Sequence, residues 1–149
     1  MISDTHGHLN YQAVKTLSGV DMIVHAGDID TPEVLRQLID IAPVRAVRGN
    51  MDRGRWANEL PVTDLVTIDR IVLLALHDVD RLDLDPAAAG IHVVIYGHSH
   101  RPLMETRGGV VYVNPGSASL PRHGHLPSVA ILNIGDRSVN IEFKDLEDT

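Results

Sequence analysis

Short apolar runs punctuate this chain at a nearly regular interval, and the early ones each stop at a polar residue. Met22 to His25, Val44 to Val47, Ile71 to Leu76 and His92 to Tyr96 have the length and the Val/Ile content of buried strands. Leu9 to Leu17 has a helical pattern. Thr31-Pro32-Glu33 reads as cap, first-turn proline and first-turn acid, and opens a helix to about Ile39. Val62 to Ile68 runs into Ile71 to Leu76 through the turn Asp69-Arg70, and the stretch Asp83 to Ala89 is a short helix or irregular segment ended by Gly90. Later runs are shorter and hairpin-like: Leu103 to Thr106, Val110 to Val113, Val129 to Ile134, and Val139 to Phe143 after the turn Gly135-Asp136-Arg137-Ser138. Glu142 to Thr149 reads as an acidic, frayed end. Early αβ units followed by many strands predict an α/β fold of two packed sheets flanked by helices.

The residues at which the runs stop are candidate metal ligands: Asp4 and His6, Asp28, Asn50, His77, then His98 and His100. Successive clusters begin 24, 22, 27 and 21 residues apart, about one strand and one return segment each time. Such spacing carries successive strand ends to one rim of a sheet, where open α/β folds place ligands. Partners two apart in the first and last clusters leave the same face of an extended segment and can converge on one ion. A glycine precedes the ligand at Gly27-Asp28, Gly49-Asn50 and Gly97-His98, as close approach in a crowded site requires. Nitrogen and oxygen donors without thiolate suit Mn²⁺, Fe²⁺, Zn²⁺ or Ni²⁺ without choosing among them, and Mn²⁺ is taken as the working expectation.

SDTHG (3 to 7), HAGD (25 to 28), RGNMD (48 to 52), the run ending in His77, and GHSH (97 to 100) resemble, in that order, the calcineurin-like metallophosphoesterase superfamily. NPGS at 114 to 117, followed by Ser119-Leu120-Pro121-Arg122, resembles its small YfcE-like phosphodiesterase branch. The resemblance runs from Ile2 to about Phe143 and implies one 149-residue domain, a four-layer αββα sandwich. It also implies two metal ions, one held by Asp4, His6, Asp28 and His100, the other by Asp28, Asn50, His77 and His98. Asp28 would bridge, and Asp28, Asn50 and His98 are the catalytic candidates.

Composition narrows the reading. The 149 residues are 44% apolar, enough core for one domain, and contain no cysteine, which excludes disulfides, thiolate zinc sites and iron–sulfur clusters. No apolar stretch reaches the roughly 20 residues of a membrane span, and no signal peptide precedes Asp4, so a soluble cytoplasmic protein is expected. A formal charge of −7 disfavours broad nucleic-acid binding. Locally the sign reverses, since two divalent ions against the carboxylates of Asp4 and Asp28 leave about +2, an anion-binding pocket in an acidic protein.

Three features depart from the family pattern. Met51 stands where many superfamily phosphatases carry a proton-donating histidine, and Asp78 follows His77 where glycine is usual. Only Met1, Ile2 and Ser3 precede the first ligand, against five or six residues in a typical strand, so the expectation is that Met1 is a misassigned or shortened start. His25 and His92 are expected in structural roles, Asp52 as a turn residue or a support to the ligands, and His8, Arg48, Arg53, Arg55, Arg122, His123 and His125 on solvated surfaces or at the mouth of the site.

The function expected is hydrolysis of a small phosphodiester by a hydroxide that two ions activate. Alternatives are a non-catalytic protein-interaction scaffold, resembling the retromer subunit of this branch, and a phosphomonoesterase. A homo-oligomer through an edge strand of the C-terminal β runs is left open.

Overall fold

Among the described residues, thirteen short elements, none longer than eight residues, carry the chain back and forth beneath a single rim. In order they are α1 (Tyr11–Leu17), β1 (Ile23–His25), α2 (Pro32–Ile39), β2 (Val44–Ala46), α3 (Arg55–Asn58), β3 (Thr63–Ile68), β4 (Ile71–Leu76), a 3₁₀ turn (Val79–Arg81), β5 (Val93–Ile95), β6 (Leu103–Arg107), β7 (Val110–Asn114), β8 (Ser128–Ile134) and β9 (Val139–Asp145). This computed structural model describes residues 1–136 and 138–147; Arg137 of the expected turn and Asp148 and Thr149 of the acidic end lie outside the described residues.

The β strands form three hydrogen-bonded sets: β1-β2, β3-β4-β5-β7-β6, and β8-β9. β1 and β2 are parallel, with α2 as their crossover, while β4, β5 and β7 are parallel to one another. The expected strand into Asp4 shrinks to one bridge, Ile2 with His25. Ile2 exchanges backbone bonds with Val24 and Ala26, and Met1 exchanges two with Ala130, so these two residues stitch β1 to β8. Beside the stitch a cavity of about 540 Å³ opens among Met1, Met22, Val24, Leu73, Ile95 and Leu132.

Alternation along the strands assigns the layers. Leu73, Ala75, Val93 and Ile95 join Val24, Ala26, Val47 and Ala130 in one core between the sheets, whereas Leu74, Leu76 and Val94 face the other way. That period of two, with both faces buried, is how a central strand reads. The outer face of the β1-containing layer is covered by α1 and α2 through Ala13, Leu17, Val34 and Leu38. α1 is capped by Asn10, whose side-chain oxygen accepts the Ala13 N–H at 2.7 Å. The outer face of the five-stranded sheet is covered by Val79, Leu82 and Ile91. The result is the layered α/β sandwich expected, with its fourth layer thinned to a 3₁₀ turn and irregular chain over 79–91.

Candidate metal centre

Each ligand candidate follows an apolar strand end: Asp4 and His6 follow the Ile2 bridge, Asp28 follows β1, Asn50 β2, His77 β4, and His98 and His100 β5. The expected extended geometry within the pairs is not what brings them together. Asp4 and His6 have φ of 52° and 47°, His98 and His100 of 73° and 59°, and Asp28 of 56°, so the backbone is left-handed at five of the seven candidates. Such conformations are uncommon for residues with a Cβ and concentrate at functional sites. The chain leaves the strand and curls, and the curl turns Asp4 and His6 inward in the first pair and His100 in the last, while His98 stays exposed.

The glycines make room for that curl. A Cβ at Gly97 would lie 2.0 Å from Ser3 Oγ and 2.6 Å from Asp4 Oδ2, and one at Gly49 would lie 2.2 Å from Asp28 Oδ1. No side chain fits at either position.

Ligand atoms of Asp4, His6, Asp28 and His100 all lie within 4.8 Å of one another. Each carboxylate ties one oxygen to the protein and turns the other inward. Asp4 Oδ2 accepts from Ser3 Oγ at 2.7 Å and from the His98 N–H at 3.1 Å, leaving Oδ1 buried without a hydrogen-bond partner. Asp28 Oδ1 accepts the Met51 N–H at 2.9 Å, and its Oδ2 lies 3.3 Å from His77 Nε2.

The imidazoles are aimed in the same manner. His77 Nδ1 donates to the Ala26 carbonyl at 2.8 Å, His100 Nδ1 to the Leu120 carbonyl at 2.5 Å, and His6 Nδ1 faces Asp30 Oδ2 at 3.2 Å. Those partners put the proton on Nδ1 and present a bare Nε2 to the centre, the arrangement found around metal-ligating histidines. His77 Nε2 is buried and unpartnered, and the Nε2 atoms of His6 and His100 approach to 3.1 Å. Bare acceptors gathered this closely repel unless a proton or a cation lies between them, so the donor set fits a divalent metal.

Asn50 and His98 are placed differently. Both are exposed, and Asn50 Oδ1 lies 3.2 Å from His98 Nδ1. The His98 ring sits edge-on to His77, with centroids 5.1 Å apart, so the pair borders the buried group.

Charge follows the same geometry. Burial pushes Asp4 up, but the nearby imidazoles of His100 and His77 and the Ser3 hydroxyl outweigh it and hold the carboxyl below its ordinary value. Asp28 behaves likewise through His77 and the Met51 N–H. Burial pulls His77 down, yet Asp28 and Asp4 leave it raised; His100 is raised first by Asp4, whose Oδ1 lies 3.2 Å from its Nε2.

Supporting residues explain why the loops hold. Asp52 accepts four backbone N–H groups, those of Gly49, Asp28, Ile29 and Asp30, at 2.8 to 3.0 Å, which makes it the support expected of it. NPGS is likewise more than a turn. Asn114 donates to the Gly97 carbonyl and Ser99, Ser117 Oγ donates to the Asp4 carbonyl, and Ser119 Oγ donates to the Thr5 carbonyl. His25 is wholly buried between Thr5 Oγ1 and the Gly27 N–H, and burial pushes its pKa down to about 3, so it is a neutral structural residue. His92 caps Val72 N–H from the surface. Arg122 and His123 are exposed, with the Arg122 charge felt at His100, and Arg53 and Arg55 point to solvent. Sequence reasoning missed Asp30, the partner of His6. Its signal was a carboxylate two residues beyond a ligand, because metal-binding histidines commonly give their second N–H to such a group.

The comparisons agree with this geometry. The profile of the calcineurin-like phosphoesterase superfamily domain matches residues 1–137. A probable metallophosphoesterase of Methanothermobacter thermautotrophicus is 32% identical over 95% of this chain and 88% of its own length. Phosphodiesterase YfcE of Escherichia coli K12 is 31% identical over 88% and 84% respectively. Among solved structures, Vps29 of Chaetomium thermophilum superposes with a TM-score of 0.78 at 20% identity, over 96% of this chain and 93% of that one, a likeness of fold alone. With the profile spanning nine-tenths of the sequence and its histidines and carboxylates converging as described, this chain belongs to the calcineurin-like phosphoesterase superfamily.

Proposed function

We propose that this protein is a metal-dependent phosphodiesterase acting on a small phosphodiester. The observation that carries the reading is the set of inward, unpartnered acceptors: Asp4 Oδ1 and His77 Nε2 buried beside the paired Nε2 atoms of His6 and His100. Asp4, His6, Asp28 and His100 would hold one divalent ion, and Asp28, Asn50, His77 and His98 a second, with Asp28 shared; Mn²⁺ is the first candidate. Such ions supply hydroxide near neutral pH and neutralise charge on the phosphoryl oxygens.

The remaining work falls to the chain. Asp28, fixed at one oxygen by the Met51 N–H, sets where the two half-sites meet. Asn50 contributes a neutral oxygen and so leaves its half-site more electrophilic than a third carboxylate would. As the water oxygen bonds to phosphorus, the P–O bond to the departing alcohol breaks and that oxygen needs a proton. Met51, which is exposed, has none to give, so good leaving groups are favoured.

The sequences named as phosphodiesterases support diester chemistry, whereas the fold is shared with Vps29 and does not choose between enzyme and scaffold. Seven filled ligand positions favour the enzyme. The test is hydrolysis of a matched aryl phosphodiester and phosphomonoester by metal-stripped protein reloaded with Mn²⁺. Diester turnover that vanishes in Asp28→Ala supports the reading; two bound ions per chain with no turnover of either ester would favour the scaffold.

A further inference from the structure

Beside the exposed half of the centre lies a cleft of about 470 Å³ whose lining includes Arg48, Asn50, Val62, His77, Asp78 and Arg81. It is large enough for a small organic group. One wall is the half-site itself; two guanidinium groups come to the rest of the lining from separate parts of the chain.

Arg48 is positioned by its backbone, whose N–H donates to the Pro61 carbonyl at 2.8 Å. Its guanidinium has only the neutral Asn58 oxygen, at 3.4 Å, and no carboxylate within ion-pair distance among the described residues. Elsewhere in the chain Arg36, Arg45 and Arg107 each hold a carboxylate. Arg48 is therefore a half-buried cation left available beside a candidate phosphate site.

Arg81 is carried by the 3₁₀ turn, and here the unusual residue after His77 finds a use. Asp78 Oδ1 accepts the Asp80 N–H at 3.1 Å and caps the turn, while Oδ2 lies 3.8 Å from Arg81 Nε. Asp78 thus fixes the segment that returns Arg81 to the cleft without neutralising it at close range. Two guanidinium groups against one carboxylate leave the lining at a formal +1, metal ions aside. Val62 adds an apolar surface suited to a carbon linker.

We infer that this cleft seats one ester arm of the substrate, and that the arm carries an anionic group of its own, a carboxylate or a second phosphate, held by Arg48 and Arg81. Forked guanidinium donors match those oxyanions, and in a protein of charge −7 a substrate with extra negative charge needs such a local reversal. The inference rests on the phosphodiesterase reading for its scissile group, but the charge preference of the cleft can be tested apart from turnover.

The experiment compares three p-nitrophenyl phosphodiesters that share a leaving group and differ in the other arm: 2-carboxyethyl, ethyl and choline. Expected kcat/KM falls in that order for the Mn²⁺-loaded protein, with about a tenfold spread between carboxyethyl and choline, since each exposed ion pair is worth little alone. Arg48→Gln and Arg81→Gln each shrink the carboxyethyl-to-ethyl ratio, and the double variant brings it near one. In parallel, calorimetry compares 3-phosphonopropionate with ethylphosphonate on the same loaded protein; the carboxylate should tighten binding, and the double variant should erase the difference. Turnover that ignores the arm's charge, or a ratio unchanged in the double variant, overturns the cleft assignment and leaves the diesterase reading intact. No turnover, with the phosphonate difference still present and still dependent on the two arginines, overturns the diesterase reading and leaves the cleft.

Discussion

The Asp4–His6–Asp28–His100 group and the Asn50–His98 pair border one centre but are held in different ways. In the first, carboxylates and rings are braced from behind by Ser3, Asp30, the Met51 N–H and the Leu120 carbonyl, and three of the four residues are buried. In the second, the two side chains are exposed and engage each other. A braced set pays little reorganisation on taking up an ion, whereas an exposed pair must part before either can bind. Preorganisation of this kind separates affinities, so metal titration of the stripped protein should resolve a tight and a weak step.

The largest break in that contrast is expected from Asp28→Ala, because Asp28 is the residue proposed to serve both halves. Bound metal should fall from the proposed two ions per chain to fewer than one, and diester turnover by at least about 10³-fold; inductively coupled plasma analysis beside the aryl assay reads both. Asp30→Ala touches only the braced half through His6, and should weaken the tight step by about 10–100-fold while the weak step holds its affinity. Equal weakening of both steps would show that the halves are not separately supported.

Acidification should act on both half-sites, through His100 in the braced one and His77 in the other. His77 and His100 are raised above the ordinary 6.5, so protons compete with metal there from above pH 6.5 downward, while His25 stays neutral throughout. Without metal the sign reverses for stability. The contribution of the two raised histidines is full below pH 6.5 and is lost as pH rises through their folded values. That of the lowered Asp4 and Asp28 is present above 3.8 and lost as pH falls through theirs. Metal-dependent thermal stabilisation measured from pH 5 to 8 should therefore grow with pH. The smallest effect is at Met51: Met51→His should raise turnover of diesters with poor leaving groups by up to about 10²-fold and barely change that of nitrophenyl esters.

Much of this was legible in the residues. The strands after the first, α1 and α2, and the gathering of the candidates at one rim were readable because apolar runs end at residues with few other reasons to sit there. The close-approach role of Gly49 and Gly97 followed from their place before a ligand, and the Cβ clashes bear it out. What escaped is carried by backbone. The left-handed turns at Asp4, His6, His98 and His100 replaced the extended geometry expected from a spacing of two, since the strand stops before the pair begins. The Leu120 carbonyl that aims His100 has no side-chain signature at all. The fourth layer is thin because Asp80, Asp83 and Asp85 interrupt the apolar residues over 79–91, and Asp85, Pro86 and Gly90 favour turns over a helix.

Asp52 has a consequence for motion. Its carboxylate sits in a nest of four amides, three from the Asp28 loop and one, Gly49, from the Asn50 loop. The two loops are thereby tied to each other through one side chain, so the spacing between the proposed half-sites has a support within the chain itself. In hydrogen exchange the amides of Asp28, Ile29, Asp30 and Gly49, though in loops, should open only with the core strands.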